Sequence, residues 1–286
     1  MIYLHTRRFS NGARDIARAI RAAGGRCRHL LGRNDRPWDP DGLHVGWGEG
    51  QCWPAPQEAR WLNREHNVGK YRELERLSEA EVPVPAFARL RPADSREWLA
   101  RRFRHQGAND LLAELRTGDY YVEFTPVKYE FRIHIFNGVS IRAGIKCPRT
   151  AEPHPRFRSW NAGWYLDYGE ACQNRVRQWI RDAAKQAVKA LGYDFGAVDI
   201  GVKADKTPVV FEVNSAPGLE GNSLDVYGAK IVEYYINDSQ YLQRRHYAQY
   251  GRGYGAVPGR DMPGMWSGDD VGWQRLGTRL RGMRME

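Results

Sequence analysis

Residues 196–221 read GAVDIGVKADKTPVVFEVNSAPGLEG, and their alternation decides the fold. A turn at Asp205-Lys206 makes a hairpin with Val198 opposite Val213 and Asp199 opposite Glu212. Val198, Ile200 and Val202 then share one face with Val209, Phe211 and Val213; all are apolar, and this face is the expected core. The other face carries the Asp199–Glu212 pair, with Asn214 two residues further along. Opposed carboxylates repel, so the pair costs stability unless a cation lies between them. Two carboxylates and an amide oxygen are hard ligands of the kind Mg2+ takes while keeping waters and bridging to phosphates. On the competing reading the acids lie on a solvated outer face and never meet, and periodicity alone leaves both open. A solvated face would be polar throughout, like Lys203, yet Gly201 and Val210 sit on it, which favours the metal. Residues 215–221 then form a tight loop leading into a helix near 223–235.

Outward from the hairpin, extended and helical signals alternate. Residues 173–191 show the clearest helical period, with Val176, Trp179, Ile180, Ala183, Ala184, Ala187, Val188 and Leu191 on one face and Gly192 as the stop. Asn137-Gly138, between IHIF (133–136) and VSI (139–141), is a two-residue hairpin signal. Residues 148–169 are rich in proline, tryptophan and basic side chains and read as a long loop, functional or mobile. Near the start, 2–5 reads as a strand and 13–23 as a helix with Ile16, Ile20 and Ala23 inward. Gly24-Gly25 ends that helix and 27–31 is a second strand, a β-α-β opening that implies a small parallel sheet. A short strand is expected at 44–47 and a helix over 59–77, stopped by VPVP at 82–85. From about Arg244 the composition turns to Gly, Pro, Arg, Met and Trp without period. Residues 252–286 therefore read as a flexible tail, with a short helix near 274–283.

The chain has 286 residues, 44 Lys and Arg against 34 Asp and Glu, and a net charge of +10. With 42% apolar and 12% aromatic residues it is too rich in core-formers to be disordered. Arginine supplies most of the positive charge, which invites a nucleic-acid partner. No stretch is apolar for long enough to span a membrane, and the first residues meet charge too soon for a secretory signal. The arginine-rich start imitates a transit peptide but fits a folded βα unit better. Cys27, Cys52, Cys147 and Cys172 form no CxxC pair, so reduced thiols in a cytoplasmic protein are expected rather than zinc or disulfides. No HxxxH, HExxH or GxSxG supports hydrolytic chemistry, and GRGYG at 251–255 is a short, single RGG-like segment, better read as a linker.

The blocks YEFRIHIFNG (129–138), DFGAVDIG (194–201) and FEVNSAPGLEG (211–221) resemble the ATP-grasp superfamily, specifically its RimK-like and phage-type carboxylate–amine ligases, over roughly residues 40–236. The resemblance implies an α+β fold in which two lobes sandwich ATP. Residues 1–62 would be a small N-terminal α/β lobe and 63–243 the ATP-grasp domain, with a lid at about 86–124 and a metal-bearing core lobe at about 125–243; 244–286 would be the tail. It implies ATP and Mg2+, or Mn2+ in its place. It also implies the chemistry: ATP phosphorylates a carboxylate, and an amine attacks the acyl phosphate to give an amide, ADP and phosphate. The family's metal ligands fall on Asp199, Glu212 and Asn214. Arg132 matches a strand arginine that meets the phosphates or the acyl-phosphate transition state. Lys146 and Asn161 match basic and amide positions near the phosphates and the acceptor carboxylate. Glu123 matches the hinge at the adenine edge, and Lys70 the lysine that starts the helix before the Pro-rich linker.

The lid departs from the family pattern. Where relatives carry a lysine before a Gly-rich loop, this chain has Arg101 and Arg102 on opposite faces, one of them toward the nucleotide, and its 105–109 loop has a single glycine. Plainer alternatives are an exposed strand arginine at 132, an edge strand at 121–124 and a solvated lysine at 70. The implied substrates are a small-molecule or peptide carboxylate and an amine acceptor; oligomeric state is not legible. A basic nucleic-acid-binding protein with a degenerate ATP site, or a ligase joining an amino acid to a nucleic acid or nucleotide, would also fit the arginine excess.

Overall fold

The computed structural model describes residues 1–6, 10–31, 39, 41–48, 59–64, 68–103 and 115–250. Met1–Asp238 forms one compact unit and Ser239–Glu286 a second, whose described part is helical. The 105–109 loop, the GRGYG segment, the 274–283 helix and Cys52 lie outside the described residues; Cys27, Cys147 and Cys172 are free thiols. Among the described residues no helix is long and apolar enough to cross a membrane.

Four parallel strands open the chain: β1 (Ile2–Thr6), β2 (Cys27–Leu31), β3 (Leu43–Gly46) and β4 (Arg60–Leu62), in the order β2-β1-β3-β4. Helix α1 (Asn11–Ala22) joins the first two. Ser10 caps it by accepting the Ala13 N–H at 3.2 Å, and Ala13, Ile16, Ala17 and Ile20 are buried. Its stripe ends at Ile20; Ala23 is an exposed C-cap. The helix expected over 59–77 is a strand followed by a shorter helix. Leu62 is buried in β4, and Asn63 then turns the chain at φ 52°. The Asn63 amide oxygen accepts the N–H groups of Asp194 and Phe195 at 2.7 and 3.1 Å, and its nitrogen donates to the Phe195 carbonyl at 2.9 Å. That turn uncouples the segment from α2 (Lys70–Glu79).

A three-stranded antiparallel sheet follows, β5 (Phe87–Ala88), β6 (Trp98–Arg101) and β7 (Tyr120–Glu123), with β7 in the middle. The main sheet has five antiparallel strands: β8 (Tyr129–Phe136), β9 (Val139–Pro148), β10 (Trp164–Asp167), β11 (Phe195–Val202) and β12 (Pro208–Asn214), ordered β10-β9-β8-β11-β12. Asn137 and Gly138, at φ 46° and 72°, make the two-residue turn between β8 and β9. β10 arises inside the 148–169 stretch after a single 3-10 turn at Trp160–Ala162.

Helices α3 (Glu170–Arg175) and α4 (Gln178–Ala190) cover the back of this sheet. They replace the single helix expected over 173–191. Val176 is extended at the break, which shifts the helical phase so that Val176 and Ile180 enter the core while Trp179 is left 39% exposed. The last helix, α5 (Ser223–Tyr250), runs beyond the expected end at 235. Its Tyr227, Ile231 and Val232 pack with Ile16, Ile20, Phe136 and Phe195, so the first sheet and the main sheet share apolar packing.

Two β-bulges set which side chains face which way. Between β11 and β12, Asp199 pairs with Glu212 as expected, but Ile200 pairs with Val210, leaving Phe211 as the extra residue. Val210 therefore joins Val198, Ile200, Val202 and Val213 in the core, and Phe211 turns to the opposite face. The expected placement of Phe211 and Val210 is thus reversed. A second shift, between His134 and Ile135, moves the β8–β9 register by one, so that Arg132 pairs with Gly144.

Candidate active site

The face of the main sheet opposite the core forms the floor of a cavity of about 480 Å³, with β6 and β7 on its other side. Register lines up Gly144, Arg132, Asp199 and Glu212 as one row across β9, β8, β11 and β12. Arg132 donates from Nε and Nη2 to both Asp199 oxygens, at 2.7 and 2.8 Å. One step along, Lys146 pairs with Glu130 and lies 4.0 Å from Asp199. From α2, Lys70 Nζ stands 3.2 Å from Glu212 and 3.5 Å from Glu73, and Glu73 accepts the Val213 N–H at 2.7 Å. The Asn214 amide nitrogen donates to Glu212 Oε1 at 2.7 Å.

Each acid on this floor is thus matched to a cation of the chain. Burial opposes charge on Glu212, but Lys70 and the Asn214 hydrogen bond outweigh it and hold the carboxyl far below its ordinary range. Burial likewise works against Lys70, yet Glu212 and Glu73 keep its ammonium more basic than usual. For Glu73 and Glu130 burial wins, and both carboxyls are raised. Burial also opposes charge on Arg132, but Asp199 more than restores it.

At the other end of the cavity the walls are apolar. Phe211, brought inward by its bulge, packs with Val127 over Gly201, and a Cβ at Gly201 would lie 2.6 Å from Val127 Cγ1. Leu99 and Arg101 from β6, and Val122 and Glu123 from β7, also line the cavity. The mouth carries guanidinium groups laid on rings: Arg156 lies 4.5 Å from the Phe124 centroid and Arg158 4.9 Å from that of Trp164.

Lys70, Arg101, Glu123, Arg132, Lys146, Asp199 and Glu212, all expected from sequence, line this one cavity. Of the two arginines Arg101 and Arg102, Arg101 is on the wall; Arg102, just past the end of β6, is exposed and off it. Asn161 is also exposed and off the wall, because the 3-10 turn presents Ser159 and Trp160 to the cavity instead. Asn214 is half-buried beside Glu212 rather than on the wall. Sequence reading missed Glu73, Glu130, Phe211 and Arg158. Glu73 carries a legible signal, a carboxylate on the buried Leu74–Leu77 side of α2, and Glu130 shares its parity with Arg132; Phe211 and Arg158 carry none.

No protein-family model matches the chain. The architecture is similar to that of the ATP-grasp ligase PsnB complexed with minimal precursor, Mg and ADP (TM-score 0.57, 12% identity, 83% of this chain and 97% of that one). It is also similar to D-alanine–D-alanine ligase from Bacillus anthracis (TM-score 0.56, 15% identity, 86% and 99%). The chain has the ATP-grasp fold. Local sequence similarity points the same way. Proteins named probable alpha-L-glutamate ligase match at 38% identity over 76 residues in Maridesulfovibrio salexigens (25% of each chain) and at 35% over 82 residues in Photobacterium profundum (27% of each). The chain thus matches about a quarter of the length of these relatives.

Proposed function

We propose that the chain is an ATP- and Mg2+-dependent carboxylate–amine ligase that works through an acyl phosphate. The observation that carries this is the Asp199–Glu212 pair, directly opposed on the floor of a 480 Å³ cavity in an ATP-grasp fold. The relatives named glutamate ligase, and a neighbour solved with Mg and ADP, support it. The division into an N-terminal lobe (1–62), an ATP-grasp domain (63–243) and a tail (244–286) belongs to the same proposal.

On this reading Asp199 and Glu212 hold the metal, the two carboxylates that Arg132 and Lys70 pair with in this structure. Among the described residues no three His, Cys, Asp or Glu are gathered to hold an ion. A cation at Asp199 and Glu212 would therefore draw further ligands from the Asn214 amide, water and phosphate, as Mg2+ does. It would supply charge neutralisation and alignment of the γ-phosphoryl group. On the same reading Lys146, Arg132 and Arg101 meet the phosphates, and Phe211, Val127 and Glu123, which line the same cavity, hold the base. A substrate carboxylate oxygen attacks the γ-phosphorus as its bond to the ADP oxygen breaks. An amine then attacks the acyl carbon, phosphate departs with the former carboxylate oxygen, and the nitrogen loses its proton to solvent. An acyl phosphate is activated enough for a free amine, so the chain need supply no general base.

Among the described residues the cavity wall has six acidic and six basic side chains, so this balanced wall gives the nucleic-acid alternative no support. The test is ADP release screened across amino acids, peptides and nucleic acids. ADP release that needs both a carboxylate and an amine, and that Asp199→Asn abolishes, is the expected result. Equal turnover by Asp199→Asn and the parent would defeat the metal assignment.

A further inference from the structure

Arg142 lies on the site face of β9, across from His134 and two residues from Gly144, the register partner of Arg132. Arg142 is not among the residues that line the cavity; the cations of the floor each have a carboxylate: Asp199 for Arg132, Glu130 for Lys146, Glu212 for Lys70. Arg142 has none. Its Nε is buried without a partner, and no hydrogen bond or ion pair to its guanidinium occurs among the described residues. Burial works against its charge, and only the Tyr168 hydroxyl favours it. A half-buried guanidinium without a counter-ion is costly.

The surroundings of Arg142 are built. It lies 4.4 Å from the Tyr168 ring centroid, and that ring rests on the bare backbone of Gly144, where a Cβ would come within 2.7 Å. The Tyr168 hydroxyl is 3.0 Å from His134 Nε2, and His134 Nδ1 is 3.2 Å from the Tyr227 hydroxyl, which donates to the Gly196 carbonyl at 3.4 Å. With Tyr227 donating there, Nδ1 carries the imidazole proton and Tyr168 donates to Nε2. This chain of bonds fixes the platform on which Arg142 lies. From the other side the 215–221 loop closes in, since a Cβ at Gly221 would stand 3.4 Å from Arg142 Nη2. Ser223, two residues on, has a buried hydroxyl that also lacks a partner.

We propose that Arg142, laid on Tyr168, binds a spectator carboxylate of the amino-acid or peptide substrate, one that is not itself phosphorylated. The proposal rests on the ligase reading for its place in a reaction, not for its geometry. Two residues along a strand span about 7 Å, so this anion and one facing Arg132 can belong to a single small substrate. A planar guanidinium with one stacked face and unshared N–H groups suits a planar carboxylate, which it grips with two parallel bonds.

The test uses the full chain saturated with ADP and Mg2+ and calorimetric titration of L-glutamate, L-aspartate and glycylglycine, each beside its C-terminal carboxamide. The parent should prefer at least one free carboxylate over its amide. Arg142→Gln should weaken that carboxylate about 10- to 100-fold, the range of a hydrogen bond to a charged group, and leave the carboxamide and ADP unchanged. Arg142→Lys, which keeps charge but loses the fork, should fall between. Because Arg142 makes no hydrogen bond or ion pair among the described residues and gives up only its stacking on Tyr168, Arg142→Gln should melt close to the parent temperature. Equal affinity in parent and Arg142→Gln, no preference over the amides, or no binding of any of the three overturns the proposal. If the binding pattern holds but no substrate gives ADP, the ligase reading fails and the anchor stands. If ADP release depends on Asp199 but Arg142→Gln leaves the substrate KM unchanged, the reverse is true.

Discussion

A single methyl at position 201 probes the apolar end of the cavity. Built on the observed backbone, a Cβ there lies 2.6 Å from Val127 Cγ1 and 2.8 Å from the Phe211 ring, whereas ordinary contact starts at 3.4 Å. In Gly201→Ala, Val127 must therefore withdraw by about 0.8 Å and the ring by about 0.6 Å. The packed core behind β11 gives no room, so both side chains move into the cavity they line. Overpacking of this kind costs about 1–3 kcal/mol, which lowers the melting temperature by roughly 2–12 °C in a unit of this size. Narrowing the slot for a flat base should weaken ADP·Mg binding about tenfold or more, equivalent to ~1.4 kcal/mol. Calorimetric titration with ADP and Mg2+, run beside a melt, reads both effects. Gly12→Ala is the control: its position in α1 is open, and it should leave binding unchanged and raise stability slightly. Should Gly201→Ala melt lower yet bind ADP as tightly as the parent, Phe211 and Val127 do not form the nucleotide slot.

Lys70→Met strips Glu73 and Glu212 of their shared cation, and urea unfolding should show a loss of about 3–5 kcal/mol. Millimolar Mg2+ should restore more stability to that variant than to the parent; an unchanged unfolding midpoint would sink the idea that Lys70 compensates the acids. His134, buried with its pKa lowered to about 3, gives a pH dependence of defined sign. The unfolded chain takes up this proton below its ordinary pKa near 6.5, while the folded chain resists until about pH 3. Stability from this group is therefore full above pH 6.5 and falls as pH drops toward 3, by about 2 kcal/mol at pH 5. In His134→Gln that loss should vanish; parallel curves for parent and variant between pH 7 and 4 would refute it.

What could be read from the sequence depended on whether strict alternation held. Asp199 opposite Glu212 was legible because the hairpin is regular between its far end and that pair. One residue closer to the turn it is not, and the extra residue at Phe211 sends Val210 inward and the ring outward. Nothing in VVF at 209–211 marks a bulge, since each of these residues is a good strand former. The helical period over 173–191 was real, but periodicity averages across a break, so it hid the extended Val176 and misplaced Trp179. The strand at Arg60–Leu62 was lost for a different reason. Asn63 forms its turn through partners 131 and 132 residues away, and local propensity carries no trace of them. In the 148–169 stretch composition indicated function but not direction, and the wall took Ser159 and Trp160 rather than Asn161.

The equal numbers of acids and bases on the cavity wall bear on how a ligand arrives. Seen from beyond a Debye length, about 8 Å at physiological salt, such a wall is a multipole whose field has largely cancelled. It neither draws a polyanion from solution nor repels a cation, so any acceleration of encounter comes from the arginine-rich surface outside it. Inside, at separations of 3–4 Å, the alternation becomes strongly directional. Added salt should accordingly slow arrival more than it loosens the ligand once seated.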